Sequence, residues 1–349
     1  MQQERGYPFF LLLIFFLLTG MTMAVAVGLR PVAVGTDTIH YIERFQYFVD
    51  YRFNVVNYEW LVGSLALFSA GFTDSPRLFF TLLAGVNILL IGFLAKQLAR
   101  LPKMELSWQM LFLGLSMGFF ISPFFFAVMV NIIRCGPALL LVYLLYIGLI
   151  HRKNLWQIPL LIGLIFGFHS ASLLMIVFAP AIFLRMRYIV GLTMISCFLY
   201  LSGIGQWIIE AVSGLSGVDL YTKIIGYPDY ADPTTWHIRI RWDFAIFSLA
   251  MGAGAQIWAW FLLVEAEQKA FLSLTKIYWI LTWPFFLFGF GAYSDRYIYP
   301  AWLFLSVLSG MFVLIYCRRF KHTIFWLLSG YTISFLYFLL RVQGYTLRI

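Results

Sequence analysis

Apolar runs recur along the whole chain. Most are long enough to form single helices that cross a bilayer, which takes about 20 mostly apolar residues. The hydropathy pattern predicts spans near residues 7–28, 77–95, 107–129, 132–150, 155–168, 170–184, 188–209, 242–264, 272–292, 297–316 and 323–340. The stretch 155–184 is longer than one crossing and is interrupted at His169-Ser170, so it divides in two. The run Leu61–Phe72 is too short to cross, and its length predicts a re-entrant or interfacial segment. Residues 37–53 predict an outward amphipathic helix that can lie flat on the membrane, with Asp37, Tyr41, Arg44 and Phe48 sharing one stripe. The expectation is an all-α polytopic membrane protein with eleven crossings and one re-entrant segment. It is a single integral membrane domain over residues 1–349, with outward hydrophilic segments 29–60 and 213–241. Ala24-Val25-Ala26 has an A-x-A pattern, but the run around it is too long for a signal-peptide core and more spans follow, so it reads as an uncleaved anchor.

Composition agrees. Hydrophobic residues make up 62% of the chain and charged residues 11%. Soluble domains carry about 25% charge, so a water-soluble enzyme and a disordered chain are both excluded. The net charge of +9 becomes informative once it is divided by membrane face. If Leu61–Phe72 returns to the side it left, one face collects 13 basic and 4 acidic residues, and the other holds 11 of each. Short basic loops mark the cytoplasm, so the N-terminus is expected inside. The basic excess is scattered among short loops and forms no nucleic-acid surface. Cys135, Cys197 and Cys317 lie in or at the end of apolar runs without C-x-x-C spacing or a neighbouring His, and read as core or lipid-facing fillers.

The neutral face carries the candidate chemistry. Glu59, Arg134, His169, Arg239, Arg241, Asp243, Asp295 and Arg296 sit at the outer ends of apolar runs. Snorkelling to the headgroups explains any one of these arginines. Four on one face, with acids and a His nearby, point to a polar cavity. Guanidinium groups match phosphate oxygens bidentately. Trp236 and Trp242 flank Arg239 and Arg241, either as an interfacial belt or as a surface for a sugar or pyrophosphate. Asp295-Arg296 reads as a local ion pair or as a further phosphate contact, and His169 as a packing residue or a base. No P-loop, G-x-G-x-x-G, H-E-x-x-H or G-x-S-x-G motif is present.

Five short motifs, in order, resemble those of the EpsG-like, Wzy-type exopolysaccharide polymerases. Gly35-Thr36-Asp37-Thr38-Ile39-His40-Tyr41 resembles their G-x-D-x-x-x-Y element, and Tyr58-Glu59-Trp60-Leu61 the E-containing element that follows. Asn131-Ile132-Ile133-Arg134-Cys135-Gly136 resembles N-x-x-R-x-G, with Cys135 where Gln is more familiar. Phe168-His169-Ser170-Ala171 resembles the F-H element and Ser294-Asp295-Arg296-Tyr297 the late R-Y element.

The resemblance implies an inner-membrane glycosyltransferase with a GT-C-like helical bundle and a periplasmic site. It would transfer a growing glycan from undecaprenyl pyrophosphate to the non-reducing-end sugar of the next lipid-linked repeat unit. Its partners would be those lipid-linked units, membrane lipids and a chain-length regulator. On that reading Arg134, Arg239, Arg241 and Arg296 bind pyrophosphate, with Arg44 and Arg77 as outer candidates. Asp37, Glu59 and His169 are the candidate catalytic groups, and Tyr41, Arg44, Tyr58, Asn131, Trp236, Asp243 and Asp295 contact substrate. No metal or cofactor is expected, because arginines can stabilise the leaving group. A flippase for lipid-linked oligosaccharide is the alternative of another class, although no inverted repeats are evident. An acyltransferase centred on His151 or His322 would need a cytoplasmic site, and a scaffold would leave the outer arginines without a role.

Overall fold

The structure is a computed structural model that describes residues 9–51, 59–101, 106–151, 156–216, 240–291 and 293–345. The described residues form helices and turns, with no strand among them. In chain order the helices are α1 (Phe9–Gly28), α2 (Thr38–Tyr51), α3 (Trp60–Ala70), α4 (Arg77–Leu98), α5 (Trp108–Ile121), α6 (Pro123–Val130), α7 (Cys135–His151), α8 (Gln157–Phe168) and α9 (Leu173–Val177). They continue as α10 (Met186–Leu201), α11 (Ile204–Ser216), α12 (Trp242–Leu262), α13 (Glu265–Phe288), α14 (Ser294–Cys317) and α15 (Thr323–Val342). By length and composition, five described helices can cross a bilayer, or seven if each of two bent pairs is one span. Shorter apolar helices lie alongside them. The chain is therefore a polytopic, all-helical membrane protein.

Three expected spans are broken, each for a local reason. The run 107–129 turns by 80° between α5 and α6. Ser122 caps the second helix, its hydroxyl accepting from the Phe125 amide at 3.3 Å, and Pro123 occupies the first helical position. The run 188–209 turns by 81° at Ser202-Gly203, where Gly203 takes φ +77°, a left-handed conformation open to glycine. After His169 the chain makes a 3₁₀ turn, the short α9 and a second 3₁₀ turn over Ala179–Phe183. Pro180 lacks the N–H needed to continue α9 as an α-helix.

Contacts sort the helix ends into two sets. At one end, Arg30, just past α1, donates to the Val130 carbonyl at the end of α6. Near it the last residue of α1, Gly28, lies against the Arg77 carbonyl at the start of α4. The end of α15 joins this set through Arg341, stacked on Phe126 at 4.1 Å. At the other end, His151 Nε2 donates to the Gln97 carbonyl at 3.0 Å. There Arg319 donates to the Leu262 carbonyl at 2.6 Å and lies 3.7 Å from Glu267. The path of Leu61–Phe72 follows from this sorting. Glu59, before α3, and Arg77, at the start of α4, both belong to the first end, so α3 and the turn after it leave and return to one side. At 1.5 Å per residue α3 reaches only about 16 Å, roughly half the hydrocarbon thickness.

The amphipathic stripe of α2 differs in register from the expected one. Its buried face is Thr38, Tyr41, Phe45 and Phe48, and Phe45 stacks on Phe79 of α4 at 5.9 Å. Arg44 lies on the exposed face. Aromatic burial selects this register, and Asp37 falls in the turn before the helix.

In the centre α5 packs against α14 through small residues, which let backbones approach closely. A Cβ on Gly118 would lie 2.2 Å from the Ser306 carbonyl oxygen. Gly118→Val should therefore force the two helices apart and cost about 2 kcal/mol or more, read as a lower melting temperature in detergent. Gly163→Val is the control, since a Cβ there meets nothing within 4 Å. Equal melting temperatures for the two variants would refute the close packing.

Candidate active site at one end of the bundle

The site begins with a buried arginine. Arg30 is 7% exposed, donates to the carbonyls of Val27 at 2.9 Å and Val130 at 3.3 Å, and reaches the Thr38 hydroxyl at 3.4 Å. Its guanidinium lies over the Phe80 ring at 4.1 Å. Burial pulls its pKa down to about 10, so it stays cationic at neutral pH. One side chain thus ties the ends of α1 and α6 to the start of α2. Gly35 takes φ +96°, and a Cβ there would meet Asn131 Oδ1 and the Val130 carbonyl at 2.7 Å each. Only glycine lets this loop approach so closely, and the Asp37 amide then faces Asn131 Oδ1 at 3.5 Å. The G-x-D loop and the N-x-x-R turn are therefore neighbours.

Glu59 carries the next layer. Its Oε2 accepts from Arg134 Nη1 at 2.5 Å and its Oε1 lies 3.0 Å from His169 Nδ1. The three side chains are 13%, 26% and 22% exposed. Local packing brings them together. A Cβ on Gly167 would lie 2.7 Å from the Trp60 ring, so a glycine lets α8 close on α3 and set His169 beside Glu59. The helix stops at His169, which is extended at φ −161° and ψ 102°. Burial pushes the Glu59 carboxyl up, but the His169 hydrogen bond and the Arg134 charge outweigh it and hold the pKa down to about 2. For His169 burial favours the neutral ring. The Cys135 thiol and the Glu59 carboxylate outweigh that and raise its pKa to about 9.

A second ionic cluster lies at the starts of α12 and α14. Arg241 holds Asp243 bidentately, Nε to Oδ1 at 2.9 Å and Nη2 to Oδ2 at 2.6 Å. Its amide donates to the Tyr200 hydroxyl at 2.8 Å and its guanidinium lies over Phe244 at 3.7 Å. Asp295 is within electrostatic range of both Arg241 and Arg296. The Arg296 guanidinium lies over the Tyr293 ring at 4.1 Å. Tyr299 lies within electrostatic range of Cys135 and Asp295, one from each cluster, and its hydroxyl donates to the Phe124 carbonyl.

The structure thus brings Glu59, Arg134 and His169 together, sets the Asp37 backbone beside Asn131 in the loop next to them, and places Arg241, Asp243, Asp295 and Arg296 in a second cluster. Tyr41 is buried in α2, while Arg44 and Arg77 are exposed at the rim. Tyr58, Trp236 and Arg239 lie outside the described residues. The reading of Cys135 as a filler without a His partner is corrected, since its thiol lies against His169. Thirty-four positions of sequence separate the two, so no local spacing could signal the contact. Arg30 was the residue missed, because an arginine just after a span looks like any snorkelling headgroup contact. His151 is engaged at the opposite end. No group of three His, Cys, Asp or Glu placed to hold a metal ion occurs among the described residues.

A helical bundle of this kind, with apolar helices long enough to span a bilayer and ionic clusters gathered at one end, is a polytopic membrane protein. The chain belongs to the EpsG family, whose family model matches residues 13–347. This is a family of polysaccharide polymerases, which implies lipid-linked repeat units as substrates. No curated protein and no solved structure gives a significant match.

Glu59→Gln should lower stability by about 1–3 kcal/mol, because it leaves Arg134 half-buried without its counter-charge. A double-mutant cycle of Glu59→Gln with Arg134→Gln, followed by thermal unfolding in detergent, should show coupling of about 1 kcal/mol or more. Strict additivity would show that the pair carries no energy.

Proposed function

We propose that the two clusters form the active site of a polymerase that acts on undecaprenyl-pyrophosphate-linked glycans at the periplasmic face of a bacterial inner membrane. The observation that carries this reading is the convergence of Arg134 and His169 on the single Glu59 carboxylate, at 2.5 and 3.0 Å. With Glu59 ionised and His169 raised to about 9, two cations flank one carboxylate at neutral pH. The excess positive charge suits a pyrophosphate. The basic residues of the opposite end support its assignment to the cytoplasm. Eleven crossings, with α3 re-entrant, are consistent with the sorted helix ends, and a GT-C-like description of the bundle goes with that reading.

In the proposed reaction the acceptor sugar hydroxyl attacks the anomeric carbon as the bond to the pyrophosphate oxygen breaks. Arg134 and His169 stabilise the charge on the departing pyrophosphate, and His169 can donate a proton to it. Arg241, Arg296 and Arg239 extend the anion-binding surface. Glu59 is too acidic to act as a base, and orients Arg134 and His169 instead. Asp37, beside Asn131, takes the acceptor proton. Asp243 and Asp295 position sugar hydroxyls and arginines around the glycan, whereas Tyr41, buried in α2 near Arg30, packs the helix and does not meet the substrate. The chemistry needs no metal or cofactor, and a chain-length regulator would act on the emerging polymer.

Purified protein given a lipid-linked repeat unit should produce a ladder of longer glycans without ATP. Arg134→Ala and His169→Ala should each reduce laddering by about 100-fold or more and leave single units intact. Translocation of intact units without laddering would favour a flippase. The pH dependence has a defined sign. A raised His169 is cationic below its folded pKa, so laddering should fall as pH rises through about 9, and His169→Gln should remove that alkaline limb. A rate that climbs through the same window would assign His169 as the base instead.

A further inference from the structure

A well-formed cavity lies away from the ionic clusters. It lies at the opposite end, between α4, α7 and α8, with a volume of about 710 Å³. Its mouth is basic, carrying Lys96 and Arg100, and no acidic residue lines it among the described residues. Neither cation forms an ion pair with the described residues. Above the mouth the walls are apolar. They run from Arg100 back to Leu90 on α4 and from His151 back to Leu141 on α7. Ten residues of helix span about 15 Å, half of a hydrocarbon core about 30 Å thick. The cavity is therefore one leaflet deep. It also opens sideways, since Phe93, Leu160 and Trp156 on its wall are 57%, 58% and 71% exposed.

The geometry points to a binding site for one anionic phospholipid, with its phosphate at Lys96 and Arg100 and an acyl chain between α4 and α8. Basic pockets between membrane helices recognise anionic headgroups in this way. The depth selects a phospholipid over a polyprenyl carrier, whose chain is far longer than one leaflet. Charge selects it over a neutral lipid. The site is separate from the ionic clusters and does not depend on the polymerase reading.

The full-length protein, purified in neutral detergent, would be titrated with phosphatidylglycerol or phosphatidylcholine and its bound lipid counted by native mass spectrometry. One phosphatidylglycerol should be retained in preference to phosphatidylcholine. The double variant Lys96→Ala/Arg100→Ala should lose about tenfold or more of that retention, at roughly a few-fold per charge near the headgroup. Both side chains are exposed, so the fold should be unaffected. Gly148→Leu should fill the cavity and abolish retention; a Cβ there meets nothing within 4 Å. Equal retention of the two lipids, or unchanged retention in both variants, would overturn the assignment. So would displacement by millimolar inorganic phosphate, which would mark a site for the anion alone, or stronger competition by a polyprenyl phosphate, which would mark a carrier site.

Discussion

The carboxylate of Glu59 is the constraint on which one end of the molecule depends. A charge at 13% exposure at the edge of an apolar bundle is costly unless it is paired. Its two oxygens are matched by two partners from distant parts of the chain, Arg134 and His169. Meeting that demand requires three interruptions of helix at the same depth. α3 must begin at Trp60, the chain must turn at residues 131–134 between α6 and α7, and α8 must stop at His169. Gly167 against Trp60, and Gly35 against Asn131, are the close approaches that make this convergence possible.

Much of this was legible in the sequence, and the limits have physical causes. Apolar runs announce themselves because the bilayer imposes length and composition, so the helices of the bundle and the short α3 could be read directly. Glu59, Arg134 and His169 stood out because polar groups at the ends of apolar runs are expensive. Hydropathy is blind, however, to the direction of a helix. Ser122-Pro123 and Ser202-Gly203 turn their helices by about 80° while the apolar composition continues unbroken. Tertiary contacts were equally hidden. The Cys135–His169 contact and the bonds of Arg30 join residues with no shared spacing, and the register of α2 was decided by Phe45 meeting Phe79.

Ion pairs occur at both ends of the bundle, Arg319 with Glu267 among them, but the cavity mouth differs in kind from the site end. At the site end cations are interlocked with acids: Arg134 with Glu59, and Arg241 with Asp243. At the other end Lys96 and Arg100 stand at the mouth of an apolar cavity without an acidic neighbour in its lining. Interlocked pairs hold geometry. The site end thus presents a rigid ionic surface, and the cavity mouth a basic one.

Helix direction sharpens the case that the rigid surface meets an anion. Arg134 immediately precedes α7, Arg241 caps α12, and Arg296 lies in the first turn of α14. These are helix N-termini, where the macrodipole already places positive charge and where acidic side chains are the favoured occupants. Three arginines there work against the local preference. Glu59, Asp243 and Asp295 offset part of the repulsion, and aromatic rings of Phe244 and Tyr293 cover two of the guanidinium groups. What remains is a concentration of positive potential from side chains and backbone together, at the depth where a membrane helix ends. An anionic group entering from the membrane surface would relieve that repulsion on binding, which is the physical argument for an anionic substrate at this end.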